Sequence, residues 1–243
     1  MGDHAPRRGR LTGAIEQRED RSGASAWIVP ARVLDSATAE EGRRLFAAEA
    51  RFIAGASSPS GFPPEGLAEV AFVGRSNVGK SSLVNALTSR RMLARTSNTP
   101  GRTRQINFFD LGRRLMLVDL PGYGYAEASK TAVKSWTGLV KQYLQTRAVL
   151  SRVCLLIDSR HGIKEPDRPL MRLLDGAGVS YQIVLTKADK ASKDELAAVP
   201  RMILAELAGH AAAHPEVHST SAVDRRGITE LREALANFAL PVR

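Results

Sequence analysis

One stretch constrains this chain more than any other: Gly74-Arg75-Ser76-Asn77-Val78-Gly79-Lys80-Ser81-Ser82. It follows a short apolar run, residues 70–73, and precedes a helical pattern with Leu83, Ala86 and Leu87 at i, i+3 and i+4. Strand, Gly-rich loop and helix, in that order, are the context that makes GxxxxGK[ST] a phosphate-binding loop. Gly74 and Gly79 carry no Cβ, so the backbone is expected to bend tightly and turn its N–H groups onto phosphate oxygens. The helix N-terminus adds the positive end of its dipole. Lys80 is expected to reach the β- and γ-phosphates, and the Ser81 hydroxyl to ligate Mg²⁺. An ordinary Gly-rich turn is the competing reading, and the motifs downstream decide between the two.

The 243 residues suit one globular domain with extensions. A net charge of +10 favours a polyanionic partner, although net charge also serves solubility. Cys154, the one cysteine, lies in the apolar run Val153-Cys154-Leu155-Leu156-Ile157 and reads as a small core residue in a reducing compartment. The cysteine and five histidines show no metal spacing. No run reaches membrane-spanning length and no apolar secretory core is visible, so a cytoplasmic protein without membrane association is expected. Residues 1–36 lack periodicity and read as a mostly disordered basic extension. Arg7, Arg8 and Arg10 suit either a nucleic-acid contact or a solvated tail. Residues 37–64 read as a helix over 38–56, with Thr38 and Glu41 as a capping box and Leu45, Phe52 and Ile53 as anchors, then a lead-in loop. The nucleotide-binding domain is expected over 65–243.

Past the first helix, residues 89–103 hold Asn98-Thr99-Pro100-Gly101 and read as an irregular loop. Strands over 104–111 and 115–119, joined by a tight turn, must be antiparallel. The second ends in Asp119-Leu120-Pro121-Gly122. A carboxylate at a strand end, three residues before a glycine, is the second phosphate-site element of P-loop nucleotide hydrolases: Asp119 for Mg²⁺ through water, the Gly122 N–H for the γ-phosphate. Residues 129–147 form an amphipathic helix, with Trp136, Leu139, Val140, Tyr143 and Leu144 on one face and Lys130, Lys134 and Lys141 on another. Those lysines suit either a polyanion or plain solvation.

Strands are expected at 153–158 and 181–185, with a short helix over 169–174 ended by Gly176. The later strand ends in Thr186-Lys187-Ala188-Asp189, the [NT]KxD pattern of guanine recognition. A carboxylate there accepts from the ring N–H and the exocyclic amino group of guanine, and adenine offers neither. The Lys187 stem suits the face of the base. Ser192–Glu195 is a capping box for a helix that Pro200 interrupts or restarts. Thr220 ends a short strand, and Ser221-Ala222 matches the loop whose backbone N–H meets the guanine carbonyl. A helix over 227–238 closes the chain.

With these elements in order, the chain resembles the bacterial EngB (YsxC/YihA) ribosome-assembly GTPases, within the wider TrmE-Era-EngA-EngB-Septin-like group. GRSNVGKSSLVNALT, RTSNTPGRT, INFFDLG, VDLPGYGYA, DSRHG and LTKADK carry the resemblance, across roughly residues 65–240. It implies a doubly wound α/β fold, a mostly parallel six-stranded sheet with one antiparallel edge strand. It implies GTP and GDP as ligands with Mg²⁺, hydrolysis, and a role in assembling the large ribosomal subunit, linked to cell division and septation. Large-subunit precursor and rRNA are the implied partners of a monomer. Thr103, flanked by Pro100, Gly101 and Arg102, becomes the first switch threonine, closing over Mg²⁺ and the γ-phosphate. Lys80, Thr103 and Gly122 become the catalytic set. Arg104 stands where relatives are expected to carry Gln, and Tyr123 where many small GTPases carry a water-orienting Gln. Asn77 occupies a position where some related GTPases hold K⁺. Two other readings remain beside this one: a GTPase with a different client, such as tRNA modification or cell division, and a P-loop kinase or ATPase. The TKAD and DLPG pair argues against the latter.

Overall fold

The computed structural model describes residues 36–90, 105–123 and 130–241, with side chains from Thr38 on and excluding those of 130–137. All of them fall within one unit, Leu34–Arg243. Seven strands form one sheet: β1 (Ala50–Ala56), β2 (Glu69–Gly74), β3 (Ile106–Leu111), β4 (Leu115–Asp119), β5 (Leu150–Asp158), β6 (Tyr181–Thr186) and β7 (His218–Ser219). Their order is β1-β3-β4-β2-β5-β6-β7. β3 alone runs against the rest, because it pairs antiparallel with both β1 and β4 while the other pairings are parallel. Six helices complete the fold: α1 (Ser36–Ala47), α2 (Lys80–Thr88), α3 (Lys130–Thr146), α4 (Arg168–Ala177), α5 (Lys193–Leu207) and α6 (Ile228–Ala236).

The buried strands read as apolar runs because both faces are covered. Alternate residues feed two core layers. Ala71, Val73, Val153, Leu155, Ile157, Ile183 and Leu185 join Leu139, Tyr143, Leu170 and Ile203 of α3–α5 on one face. Val70, Phe72, Cys154, Leu156 and Val184 join Phe46, Leu83, Leu87, Leu231 and Leu235 of α1, α2 and α6 on the other. The α3 stripe is buried as expected at Leu139, Val140, Tyr143 and Leu144, and each such side chain contributes roughly 1.5–3 kcal/mol.

The fold is the expected doubly wound one, with a seventh strand that the sequence reading missed. The helix expected over 38–56 stops at Ala47, and 50–56 is β1, paired from Ala50↔Leu111 to Ala56↔Ile106. Residues 37–64 therefore contribute to the same sheet as the rest of the chain, and β3 is not an edge. Leu45 anchors α1 as expected, but Phe52 and Ile53 are 60% and 44% exposed on the outer strand. Thr38 lies inside α1 rather than capping it, and its hydroxyl donates to Glu233 of α6.

Other boundaries moved for local reasons. α4 runs through Gly176 and ends at Gly178, whose φ of 64° lets its N–H turn back to the Asp175 and Leu174 carbonyls. Pro200 sits inside a continuous α5 and removes one main-chain donor without breaking the helix. The capping box is present: Glu195 N–H donates to Ser192 Oγ at 3.2 Å, and Ser192 N–H donates to Glu195 Oε2 at 2.7 Å. Among the described residues no helix is long and apolar enough to cross a membrane.

Candidate nucleotide-binding site

The chain leaves the central strand β2 on one side through α2 and later returns to its other side with β5. A crevice at the carboxyl end of such a switch point is where doubly wound folds bind ligands. β2 there delivers residues 74–82, β4 delivers Asp119, β5 Asp158, β6 Thr186 and β7 Thr220.

The phosphate loop is shaped by two left-handed residues, Asn77 at φ 60° and Gly79 at φ 104°. Gly74 is not one of them. Its need is space: a Cβ would lie 2.9 Å from both the Leu156 carbonyl oxygen and Val78 Cγ1. Lys80 and Ser81 open α2, where the helix N-terminal field is strongest. Lys80 Nζ donates to Asp119 Oδ1, and both side chains are largely buried, so the two charges neutralise each other across the site. Gly122 lies against the loop as well: a Cβ would stand 3.3 Å from the Gly74 carbonyl and 3.5 Å from Ser76 N. Its bare backbone therefore also suits close packing on the phosphate loop, a reason the sequence reading did not give. Leu120 and Pro121 are buried between Asp119 and Gly122.

The Thr186–Asp189 segment braces that loop. Thr186 Oγ1 donates to the Val78 carbonyl at 2.6 Å, and Lys187 Nζ donates to the Asn77 carbonyl at 2.6 Å. Ala188 N–H donates to the Thr220 carbonyl, tying this segment to the loop after β7. Ser221 Oγ donates to Asp189 Oδ1 at 2.7 Å and accepts from the N–H groups of Val223 and Asp224. The Asp189 carboxylate is thus aimed by a hydroxyl that is itself held. Ser221 N–H donates to the Arg226 carbonyl, so the backbone donor expected from Ser221-Ala222 falls to Ala222. A cavity of about 450 Å³ opens alongside, between α2 and this loop, lined by Ser82, Asn85, Ser89, Arg90, Ala222 and Arg225 among others.

Two groups escaped the sequence reading. Asp158, the end of β5, is gripped by Arg160 through Nε at 2.9 Å and Nη2 at 2.7 Å, and Lys187 Nζ lies 3.1 Å away. Burial works to raise the Asp158 pKa, but Arg160 and Lys187 outweigh it and hold the carboxyl well below the usual range. Its only signal was a place in DSRHG at a strand end. The second is Asp167, fully buried at the start of α4, which accepts from the Tyr123 hydroxyl at 2.7 Å. Nothing in the local sequence marks it.

The structure thus gathers Gly74–Ser82, Asp119–Gly122, Thr186–Asp189 and Thr220–Ala222 at one end of the sheet. Pro100, Gly101, Arg102, Thr103 and Arg104 lie outside the described residues, as do the side chains of Lys130, Lys134 and Trp136. Lys141 is exposed on α3.

Known proteins resemble this chain. Residues 69–187 match a family model described as a 50S ribosome-binding GTPase. A probable GTP-binding protein EngB of Rhodospirillum rubrum is 58% identical over 207 residues, covering 83% of this chain and 90% of its own. Its counterpart in Ruegeria pomeroyi is 53% identical over 204 residues, covering 84% and 94%. Among solved structures, a probable GTP-binding protein engB superposes with a TM-score of 0.56 at 22% identity, covering 70% of this chain and 98% of that one. Era in complex with MgGDPNP and a 16S ribosomal RNA fragment gives 0.57 at 21%, covering 73% and 58%. The two structural likenesses bear on the fold alone. With the sequence relatives and the site geometry together, the chain belongs to the EngB family of GTP-binding GTPases.

Proposed function

We propose that this GTPase is a nucleotide-driven switch that binds a precursor of the large ribosomal subunit during its assembly in the cytoplasm. The observation that carries the reading is the match of residues 69–187 to a family described as 50S ribosome-binding. The net charge of +10 suits a partner rich in RNA phosphate.

In this reading residues 74–82 hold the phosphates and Lys80 leaves Asp119 for the β- and γ-phosphates. The Ser81 and Thr103 hydroxyls and the Asp119 carboxylate would hold Mg²⁺, which would offset phosphate charge there. That donor set is oxygen only and leaves positions for phosphate and water, as Mg²⁺ requires. Asp189 reads guanine, aligned by Ser221. Contacts from the γ-phosphate to Thr103 and Gly122 set the order of 89–103 and 123–130, since GDP has no differential contact with which to shift them. Tyr123 cannot replace a water-orienting amide, so intrinsic hydrolysis is slow. Asn77 makes a K⁺ ion the candidate for supplying the missing charge, and equal single-turnover rates in matched potassium and sodium buffers would remove it.

The deciding measurement is co-sedimentation of the monomer with large-subunit precursors. Binding in a GTP analogue and release in GDP are expected. Equal binding in both states, or none, overturns the ribosomal reading and leaves the GTPase assignment intact.

A further inference from the structure

The residue after Asp119–Gly122 is bonded to the phosphate loop by its main chain and to α4 by its side chain. Ser76 N–H donates to the Tyr123 carbonyl at 2.9 Å, and Tyr123 N–H donates to the Gly74 carbonyl at 3.2 Å. Arg75 and Tyr123 therefore run side by side as a short parallel bridge beyond the ends of β2 and β4. The ring is 7% exposed and belongs to the core layer that holds Leu170 and Met171 of α4. The hydroxyl donates to Asp167 Oδ1 at 2.7 Å, while Asp167 Oδ2 accepts from Lys164 N–H at 2.7 Å. Arg75 Nε stands 3.3 Å from the same Oδ1, too poorly aligned for a hydrogen bond but close enough to balance the charge.

We propose that Tyr123 is a positioning residue: through Asp167 it clasps the start of the second switch to the phosphate loop, and so presets the Gly122 amide for the γ-phosphate. Gly122 is one residue away and already packs on Gly74 and Ser76, so whatever fixes Tyr123 fixes the backbone that must meet the ligand. The hydroxyl is unsuited to orienting the attacking water. Turning it outward strips a donor from a carboxylate with no solvent exposure, and a bond to water does not make good that loss. Burial and the neighbouring Asp167 charge push the Tyr123 pKa far upward, so the group stays a donor at every working pH. The inference rests on the GTPase assignment and is independent of which particle the protein binds.

A clasp that presets only the γ-phosphate contact has a distinctive signature: it separates GTP from GDP. Tyr123→Phe keeps the ring and removes the bond. It is expected to weaken a non-hydrolysable GTP analogue about five- to tenfold while leaving GDP within about twofold. In the nucleotide-free variant the amides of Ser76 and of position 123 are expected to exchange faster than in the unsubstituted protein. Asp167→Asn keeps the shape and removes the charge, and a double-mutant cycle tests whether the two residues act as one unit. The double variant is expected to lose no more discrimination than the worse single. Equal losses for both nucleotides reduce Tyr123 to a packing residue and overturn the proposal. So does additivity in the cycle, and so do unchanged affinities with slowed turnover, which would put the hydroxyl on the water. A wild-type protein that binds neither nucleotide would instead refute the GTPase assignment, a result the Tyr123 comparison cannot mimic.

Discussion

At the scale of single residues, the site works by holding its charged groups in place before any ligand arrives. Ser221 donates to Asp189, and two backbone N–H groups hold Ser221 in turn. Asp189→Asn is therefore expected to leave the pocket in shape and change only what it reads. Guanine should lose about 1–3 kcal/mol per mispaired bond, and xanthine nucleotides, which present a carbonyl there, should gain. A titration that gives wild-type GDP affinity for this variant would refute the guanine assignment. Asp158 makes a different prediction, one of pH. Its folded pKa lies below the ordinary 3.8 because Arg160 and Lys187 outweigh burial. A depressed folded pKa stabilises the protein above the unfolded value, and the contribution fades as pH falls through and below it. The melting-temperature deficit of Asp158→Asn is thus expected to be constant from neutral pH down to about pH 5 and to shrink in more acid solution. A deficit that grows on acidification would contradict the ion-pair account. Most of these partnerships do not show in the sequence: Arg160 is two positions from Asp158, but Lys187 also reaches Asp158, Tyr123 reaches Asp167 and Ser221 reaches Asp189 from distant stretches of the chain.

At the scale of elements, the strands and helices with a strong period were legible and the ambiguous ones were not. The α3 stripe and the β4 and β6 runs needed only their own residues. Ala50–Ala56 was misread because Phe52 and Ile53 fit a helical spacing as well as a strand, and pairing with β3 chose between them. The α1–α6 contact was equally hidden. Gly42 of α1 packs so close to α6 that a Cβ would meet Glu233 N at 2.9 Å and the Arg232 carbonyl carbon at 3.0 Å. Gly42→Ala sets two effects against each other. Helix propensity favours alanine by about 1 kcal/mol, while pushing two backbones apart costs about 1–3 kcal/mol. The neighbours are main-chain atoms that cannot rotate away, so net destabilisation is expected. An unchanged or raised denaturation midpoint would show that the helices yield.

At the scale of the whole molecule, the helix after the second switch is pinned at its far end. Tyr143 and Arg147 both donate to buried Glu69 at the start of β2, at 2.8 Å from the hydroxyl and 2.6 Å from Arg147 Nη2. A change at 123–130 therefore acts on a helix whose C-terminal end is tied to the central strand, with Lys130 and Lys134 in its first turns and Lys141 closer to the tie. Replacing Lys130, Lys134 and Lys141 with Glu is expected to leave GTP affinity nearly intact and to reduce precursor binding strongly. The log–log salt slope should flatten by roughly one unit per lost contact. Deleting residues 1–36 in parallel separates this face from the N-terminal arginines. Loss of binding on deletion, with the triple variant unaffected, would assign docking to the tail.

What the sequence determined by itself were the features that depend on neighbours in the chain. Phosphate-loop chemistry, the Asp119–Gly122 and Thr186–Asp189 motifs and the hairpin before Asp119 follow from spacing, period and turn residues within short windows, and the motifs together carry the family resemblance that implied the doubly wound class. Tertiary structure alone decided the identity of β1, the closeness of α1 to α6, and the partners that aim each functional group. Those depend on which distant backbone or side chain arrives within hydrogen-bonding or van der Waals distance. A buried carboxylate such as Asp167 or Glu69 looks like any surface acid until the fold removes its water and leaves it Tyr123, Arg75, Tyr143 or Arg147 in exchange.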